Sequence, residues 1–130
     1  MRQKRGAPVK IKFETIPNKG RGVVATTTIE TGELIECCPV ILFHLETEIL
    51  SLSGLGYFYF EWDDDFEAIV LGYGSLYNHS FEPNAHFVRD YVRHIINFIA
   101  VKPIAAGEEI TINYNYYPGD YTPMAFEVFS

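Results

Sequence analysis

Within seven residues the chain carries Asn78, His79, Ser80 and Asn84, two amides, an imidazole and a hydroxyl, flanked by apolar Leu76, Tyr77 and Phe81. Buried polar groups need partners. A segment mixing the two kinds so closely either orders a crossing of chain segments or holds a polar ligand. The surrounding stretch, Leu71 to Asn84, contains two Gly, one Pro and two Asn. It should break regular structure repeatedly and is too polar in its second half for an ordinary strand. Two other places offer chemistry. Tyr114 closes the alternating run Ile110-Thr111-Ile112-Asn113-Tyr114, where a phenol is most often a core residue. Gly20-Arg21-Gly22 reads as a turn, without the strand-loop-helix setting of a dinucleotide or phosphate loop. His44, His79, His86 and His94 show no ligand spacing, so no metal is expected. No nucleophile elbow or locally supported Cys–His pair is present.

The elements that must position these groups are short. Val9-Lys10-Ile11-Lys12-Phe13 alternates apolar and charged, which predicts a half-buried strand. Residues 16–22 form a turn and Val23-Val24-Ala25 the strand after it. Leu34-Ile35-Glu36 is a short strand, and Pro39 to Phe43 is extended. Glu46 to Leu52 could make a short helix. Tyr57 to Trp62 and Ala68 to Leu71 are strands on either side of an acidic loop. Gly74 to Tyr77 predicts one helical turn, and Ala85–Asp90 with His94–Val101 a hairpin pair. Many short strands broken by Gly and Pro predict a mainly β fold of several small sheets.

Composition bounds the rest. At 130 residues the chain is one domain with room for a core. The net charge of −7 argues against direct nucleic-acid binding and suits a basic peptide partner. The sharpest acidic patch, Glu61-Trp62-Asp63-Asp64-Asp65-Phe66-Glu67, is either a solvated loop or the rim of a site for a basic substrate. There is no apolar run long enough for a membrane span and no signal peptide, so a soluble, intracellular protein is expected. Adjacent Cys37 and Cys38 predict two buried thiols in a reducing compartment.

The central motif, Asn78-His79-Ser80-Phe81-Glu82-Pro83-Asn84, resembles the Asn-His-Ser-x-x-Pro-Asn signature of SET-domain protein lysine methyltransferases. Two further motifs support the resemblance in the right order. Gly20-Arg21-Gly22 lies upstream, and Gly107-Glu108-Glu109-Ile110-Thr111-Ile112-Asn113-Tyr114 lies downstream. The resemblance runs from about Val9 to Tyr117, with residues 1–8 as a flexible arm and 118–130 as a segment closing the site. It implies a SET fold with a knot-like threading of the chain near the active site, towards the C-terminus.

The resemblance also implies roles. S-adenosylmethionine would be the cofactor, with the loop from Lys19 through Gly20, Arg21, Gly22 and Val23 contacting its methionine part. Asn78 would bind it through side chain and backbone. His79 would contribute backbone contacts and lock the threaded segments. Tyr114 would sit where the target lysine meets the methyl sulfonium, with Tyr116 beside it as a second catalytic and channel tyrosine. Tyr77, Phe87 and Ile112 would line the lysine channel, and the absence of a hydroxyl at Ile112 and Phe87 predicts that di- and trimethylation are permitted. No Cys-rich zinc segment follows Tyr114, so the tail must cover the cofactor, with Phe126 or Phe129 stacking on adenine. The chain departs from the family at Asn113, where Asp is common. The expected function is methylation of lysine in a histone or another basic protein, by a stand-alone domain in the cytoplasm, or in a host nucleus if it is an effector. Pairing of two chains through the aromatic tail is a further expectation. The alternatives are a catalytically weak SET-like module that binds a protein, and an unrelated β-rich structural domain.

Overall fold

The computed structural model describes residues 10–47, 58–116 and 119–124. Among the described residues, nine strands form two sheets. In the first, β1 (Ile11–Ile16), β2 (Gly20–Ala25), β9 (Glu109–Ile112) and β6 (Asn78–His79) lie side by side in that order. In the second the order is β4 (Tyr59–Glu61), β5 (Phe66–Val70), β3 (Leu34–His44), β8 (Ile95–Ala100) and β7 (Ala85–Asp90). All pairings are antiparallel except that of β6 with β9. No helix among the described residues is long and apolar enough to cross a membrane.

The first hairpin shows how local sequence sets this frame. Lys19 donates its N–H to Ile16 O at 3.0 Å, Pro17 takes the second position of the turn and Asn18 the third, with φ +67. Asn tolerates the left-handed region that this turn needs. Gly20 follows with φ +81 and belongs to β2, so the strand starts earlier than Val23. β1 is largely exposed rather than half-buried, because its only neighbour is β2 and it forms the sheet edge. Phe13, 52 % exposed, packs one edge against Tyr73, and charged Lys12 and Glu14 pair beside it at 3.5 Å, as suits an unpaired edge.

β3 is one strand of eleven residues where the sequence reading gave two pieces. Pro39 lies at the change of partner. Before it the strand pairs with β8, and after it Val40 to His44 pair with β5. A residue without an N–H is tolerated there because the ladder is being handed over. Alternation along β3 also corrects the reading of the thiols. Cys38 is buried, whereas Cys37 is exposed, since successive strand residues face opposite sides. Burial, with the Glu36 carboxylate adjacent, pushes the Cys38 thiol well up.

The core draws on residues of both sheets and is led by Tyr77, Phe98, Ile96, Ile110 and Ile112. Tyr77 stacks on Phe98 with centroids 4.5 Å apart. Full burial of one such ring contributes about 1.5–3 kcal/mol. Gly74–Leu76 makes the expected single turn, of 3-10 type, and the β7–β8 hairpin is present, with His94 in its turn at φ +57. Asn78 and His79 do form a strand, though a polar one: their backbones pair with Thr111 and Ile112 while their side chains meet polar groups. Trp62, inside the acidic stretch, is buried against Tyr91 and His94. Asp63 accepts the N–H groups of Asp65 and Phe66 and so shapes the loop, leaving Asp64 and Asp65 exposed. The helix expected at Glu46 to Leu52 lies mostly outside the described residues, as do the 1–8 arm, Phe126 and Phe129. The expected threading depends on the chain's course after Tyr116, where residues 117, 118 and 125–130 lie outside them too.

Candidate active site

The parallel pairing of β6 on β9 brings the central motif beside the downstream one, and three of the bonds joining these segments gather around Tyr114. Ser80 donates its N–H to Ile112 O at 2.9 Å. The Tyr114 N–H donates to His79 Nδ1 at 3.0 Å. The Tyr114 hydroxyl donates to the Tyr77 carbonyl at 2.7 Å. The second bond fixes the histidine tautomer. Nδ1 accepts, so the neutral ring carries its proton on Nε2.

Burial, then the nearby Lys19 ammonium, lowers the His79 pKa. Burial, then Arg89, lowers that of His86. A histidine with a lowered folded pKa binds fewer protons folded than unfolded. Its contribution to stability is complete above about pH 6.5 and is lost as the pH falls towards the folded value. The unfolding temperature is therefore expected to drop on acidification through that window. In His79→Gln, which keeps an acceptor without a titrating proton, the drop should be shallower. A variant as pH-sensitive as the wild type would refute the role of His79.

Tyr114 is 43 % exposed, yet its hydroxyl is turned inward onto the Tyr77 carbonyl. Desolvation, with the Glu109 carboxylate nearby, pushes the phenol up to about 12. It therefore stays protonated at neutral pH. It can act as a dipole and hydrogen-bonding group, not as a base.

Tyr77 contributes through its backbone. Its side chain is 1 % exposed and donates to Glu36 Oε1 at 2.7 Å, pointing into the core instead of a channel. Burial and the Glu36 charge raise its pKa well above the ordinary phenol value. Glu36 also accepts the Tyr73 N–H at 3.0 Å. This half-buried anchor holds the segment that leads into Asn78, and sequence reasoning missed it. Its two ends are 41 positions apart.

Tyr116 lies two residues beyond Tyr114. Its φ of +83 is rare for a bulky residue, and backbone strain of this kind gathers at functional sites. Its ring meets His86 at 5.0 Å and Phe87 at 5.2 Å, edge on. The Arg89 guanidinium lies 4.6 Å from its centroid and donates Nε–H to Glu61 O at 2.8 Å. Arg89 thus joins the acidic hairpin to the Tyr116 ring. Phe87 and Ile112, expected in the channel, are 2 % and 0 % exposed and belong to the core behind Tyr116 and β9.

The upstream loop meets the same place. Asn78 Nδ2 donates to Arg21 O at 3.0 Å and to Glu109 Oε2 at 2.8 Å, and Lys19 Nζ donates to Glu109 Oε1 at 2.8 Å. A Cβ on Gly22 would stand 2.7 Å from Asn78 Nδ2 and 2.8 Å from Glu109 Oε2, so only glycine lets this cluster close. Val23 is fully buried in the core.

The tail is docked by the residue that departs from the family pattern. Asn113, 2 % exposed, donates Nδ2–H to Asp120 O at 2.7 Å and accepts the Asn115 N–H at 2.9 Å. Asn115 in turn donates to Thr122 O at 2.9 Å. Tyr121 bonds Glu82 and lies against Phe81. An aspartate at this position would set a carboxylate against the Asp120 carbonyl. Asn113→Asp is expected to cost about 1–3 kcal/mol and to raise hydrogen exchange over residues 119–124. Unchanged protection there would show that the amide does not hold the tail.

The comparisons agree with this geometry. The SET domain pattern matches residues 20–115. Over 106 residues the chain is 31% identical to the histone-lysine N-methyltransferase, H3 lysine-37 specific, of Schizosaccharomyces pombe, covering 80% of this chain and 72% of that protein. The crystal structure of a candidate histone methyltransferase of Plasmodium falciparum superposes with a TM-score of 0.69 at 28% identity, covering 83% of this chain and 95% of that one. By sequence pattern, by relatives and by the strands that bring Asn78, His79 and Tyr114 together, the chain belongs to the SET domain family of protein-lysine methyltransferases.

Proposed function

We propose that this chain uses S-adenosylmethionine to methylate lysine in a histone or another basic protein, at the site where Tyr114 meets Tyr77 and His79. The observation that carries the reading is the Tyr114 hydroxyl, held at 2.7 Å from the Tyr77 carbonyl while its own N–H is fixed on the His79 ring. Two motifs far apart in sequence converge on one phenol. Bound S-adenosylmethionine supplies the methyl group on a sulfonium. The donor set fits its amino-acid end: Lys19 offers a cation, and the Asn78 amide, with both N–H groups turned inward, offers an oxygen.

The chain's own residues do the rest by position. Methyl transfer is an in-line displacement, so the amine must be neutral and held about 3–3.5 Å from the methyl carbon. Tyr114, protonated and fixed, sets its hydroxyl oxygen and the Tyr77 carbonyl together as a polar rim. Such acceptors orient an amine, and the sulfonium of a bound cofactor would favour its neutral form. Ile112 and Phe87 lie in the core behind this rim and carry no hydroxyl that could reach it, so nothing from that side restricts the product and more than one methyl can be added. The acidic hairpin, tethered through Arg89 to Tyr116, suits a basic peptide. The test is incubation with S-adenosylmethionine and core histones, read by mass spectrometry of intact proteins and peptides. Di- or trimethylated lysine is the expected product. A product that stops at one methyl would overturn the methylation state. Cofactor binding without any transfer would favour the protein-binding module.

A further inference from the structure

We propose that Glu109 is a positioning residue: it sets the Asn78 amide in one of its two flips and holds Lys19 beside it, preparing the loop for the amino-acid end of the cofactor. The inference deepens the cofactor reading above and rests on it. In sequence Glu109 is only the second acid of a turn. In the structure its carboxylate is the point where β2, β6 and β9 meet. The Glu109 and Lys19 side chains are 16% and 13% exposed. One carboxylate oxygen takes Lys19 Nζ and the other takes Asn78 Nδ2, each at 2.8 Å.

A primary amide has two N–H groups, and those of Asn78 go to Glu109 and to Arg21 O. Its Oδ1 remains the free acceptor among the described residues. The flipped amide would turn Oδ1 onto the Glu109 carboxylate and the Arg21 carbonyl, three oxygens together. Glu109 therefore dictates that a ligand at Asn78 meets an acceptor and must bring a donor, such as an ammonium. The same carboxylate keeps the Lys19 cation nearby for a ligand carboxylate. A sparsely exposed ion pair is a costly way to gain stability alone, because desolvating both charges offsets their attraction. What the pair supplies is orientation, and Gly22 is the residue that gives it room.

The test is titration of S-adenosylhomocysteine into the wild type, Glu109→Ala, Asn78→Asp and Asn78→Asp/Glu109→Gln, with kcat at saturating S-adenosylmethionine and the ligand-free unfolding midpoint of each. Glu109→Ala should weaken binding about tenfold or more, the worth of a hydrogen bond to a charged group. Its kcat at saturation should stay within about threefold of wild type, as when binding and not chemistry is touched. Asn78→Asp should bind as weakly, since two carboxylates then face each other. Adding Glu109→Gln returns an N–H to that contact and should recover most of the affinity. Wild-type affinity in Glu109→Ala would overturn the proposal. So would a double variant no tighter than Asn78→Asp alone, or losses that follow the unfolding midpoints alone. A wild type that binds no S-adenosylhomocysteine would instead overturn the cofactor reading itself, and this proposal with it.

Discussion

Tyr114→Phe is expected to lower kcat by about 10²–10³-fold, the range for removing one preorganised polar group from a reacting centre. Cofactor affinity should stay within about threefold. The substitution deletes only the hydroxyl that donates to the Tyr77 carbonyl at 2.7 Å. The ring keeps its place, because the Tyr114 backbone stays fixed on His79 and the rings lie 5.2 Å apart. It is 43 % exposed, so no buried cavity opens, and the fold should be barely affected. The phenol's pKa of about 12 adds a second, sharper expectation. A group that stays protonated cannot be the base, so the variant should lose rate by the same factor across neutral pH. Were Tyr114 the base, the ratio of wild-type to variant rate would climb with pH. Single-turnover rates over a pH series decide between the two, and a variant within about tenfold of wild type would remove Tyr114 from the chemistry.

Much of this site was legible in sequence because its parts are local signals. Asn78, His79, Ser80 and Asn84 are crowded into one short motif, and turn residues mark the first hairpin and the β7–β8 hairpin. What stayed hidden depends on contacts between distant residues. Glu109 meets Lys19 across 90 positions, and Glu36 meets Tyr77 across 41. No periodicity reports such a pair. The polar strand β6 was hidden for a related reason, because its pairing with β9 is made by backbone while alternation registers only side chains. Tyr77 was placed in a channel by the family resemblance, although an aromatic beside a polar motif can face either way. The half-buried Glu36 carboxylate decided it for the core. Asn113 read as a departure from the family, whereas its amide is the donor that docks residues 119–124.

Asn84→Ala should be the most destabilising of these substitutions. Asn84 is 4 % exposed and stands just before β7, and its amide serves β9 from the side. Nδ2 donates to the Glu109 carbonyl at 2.8 Å and Oδ1 accepts the Thr111 N–H at 2.9 Å. It behaves as a strand neighbour made from one side chain. Truncation leaves a carbonyl and an N–H of β9 without partners, and each orphaned buried group costs about 1–3 kcal/mol. A total of about 2–5 kcal/mol is expected, a large share of the stability of a domain this size. Urea unfolding should show a lower midpoint with an unchanged slope, and a loss under about 0.5 kcal/mol would show that water replaces the amide. Activity should fall as well, for a structural reason. β9 carries Glu109 at one end and delivers Tyr114 at the other, so a strand that loses its register loses the orientation of Asn78 and the placement of the phenol together.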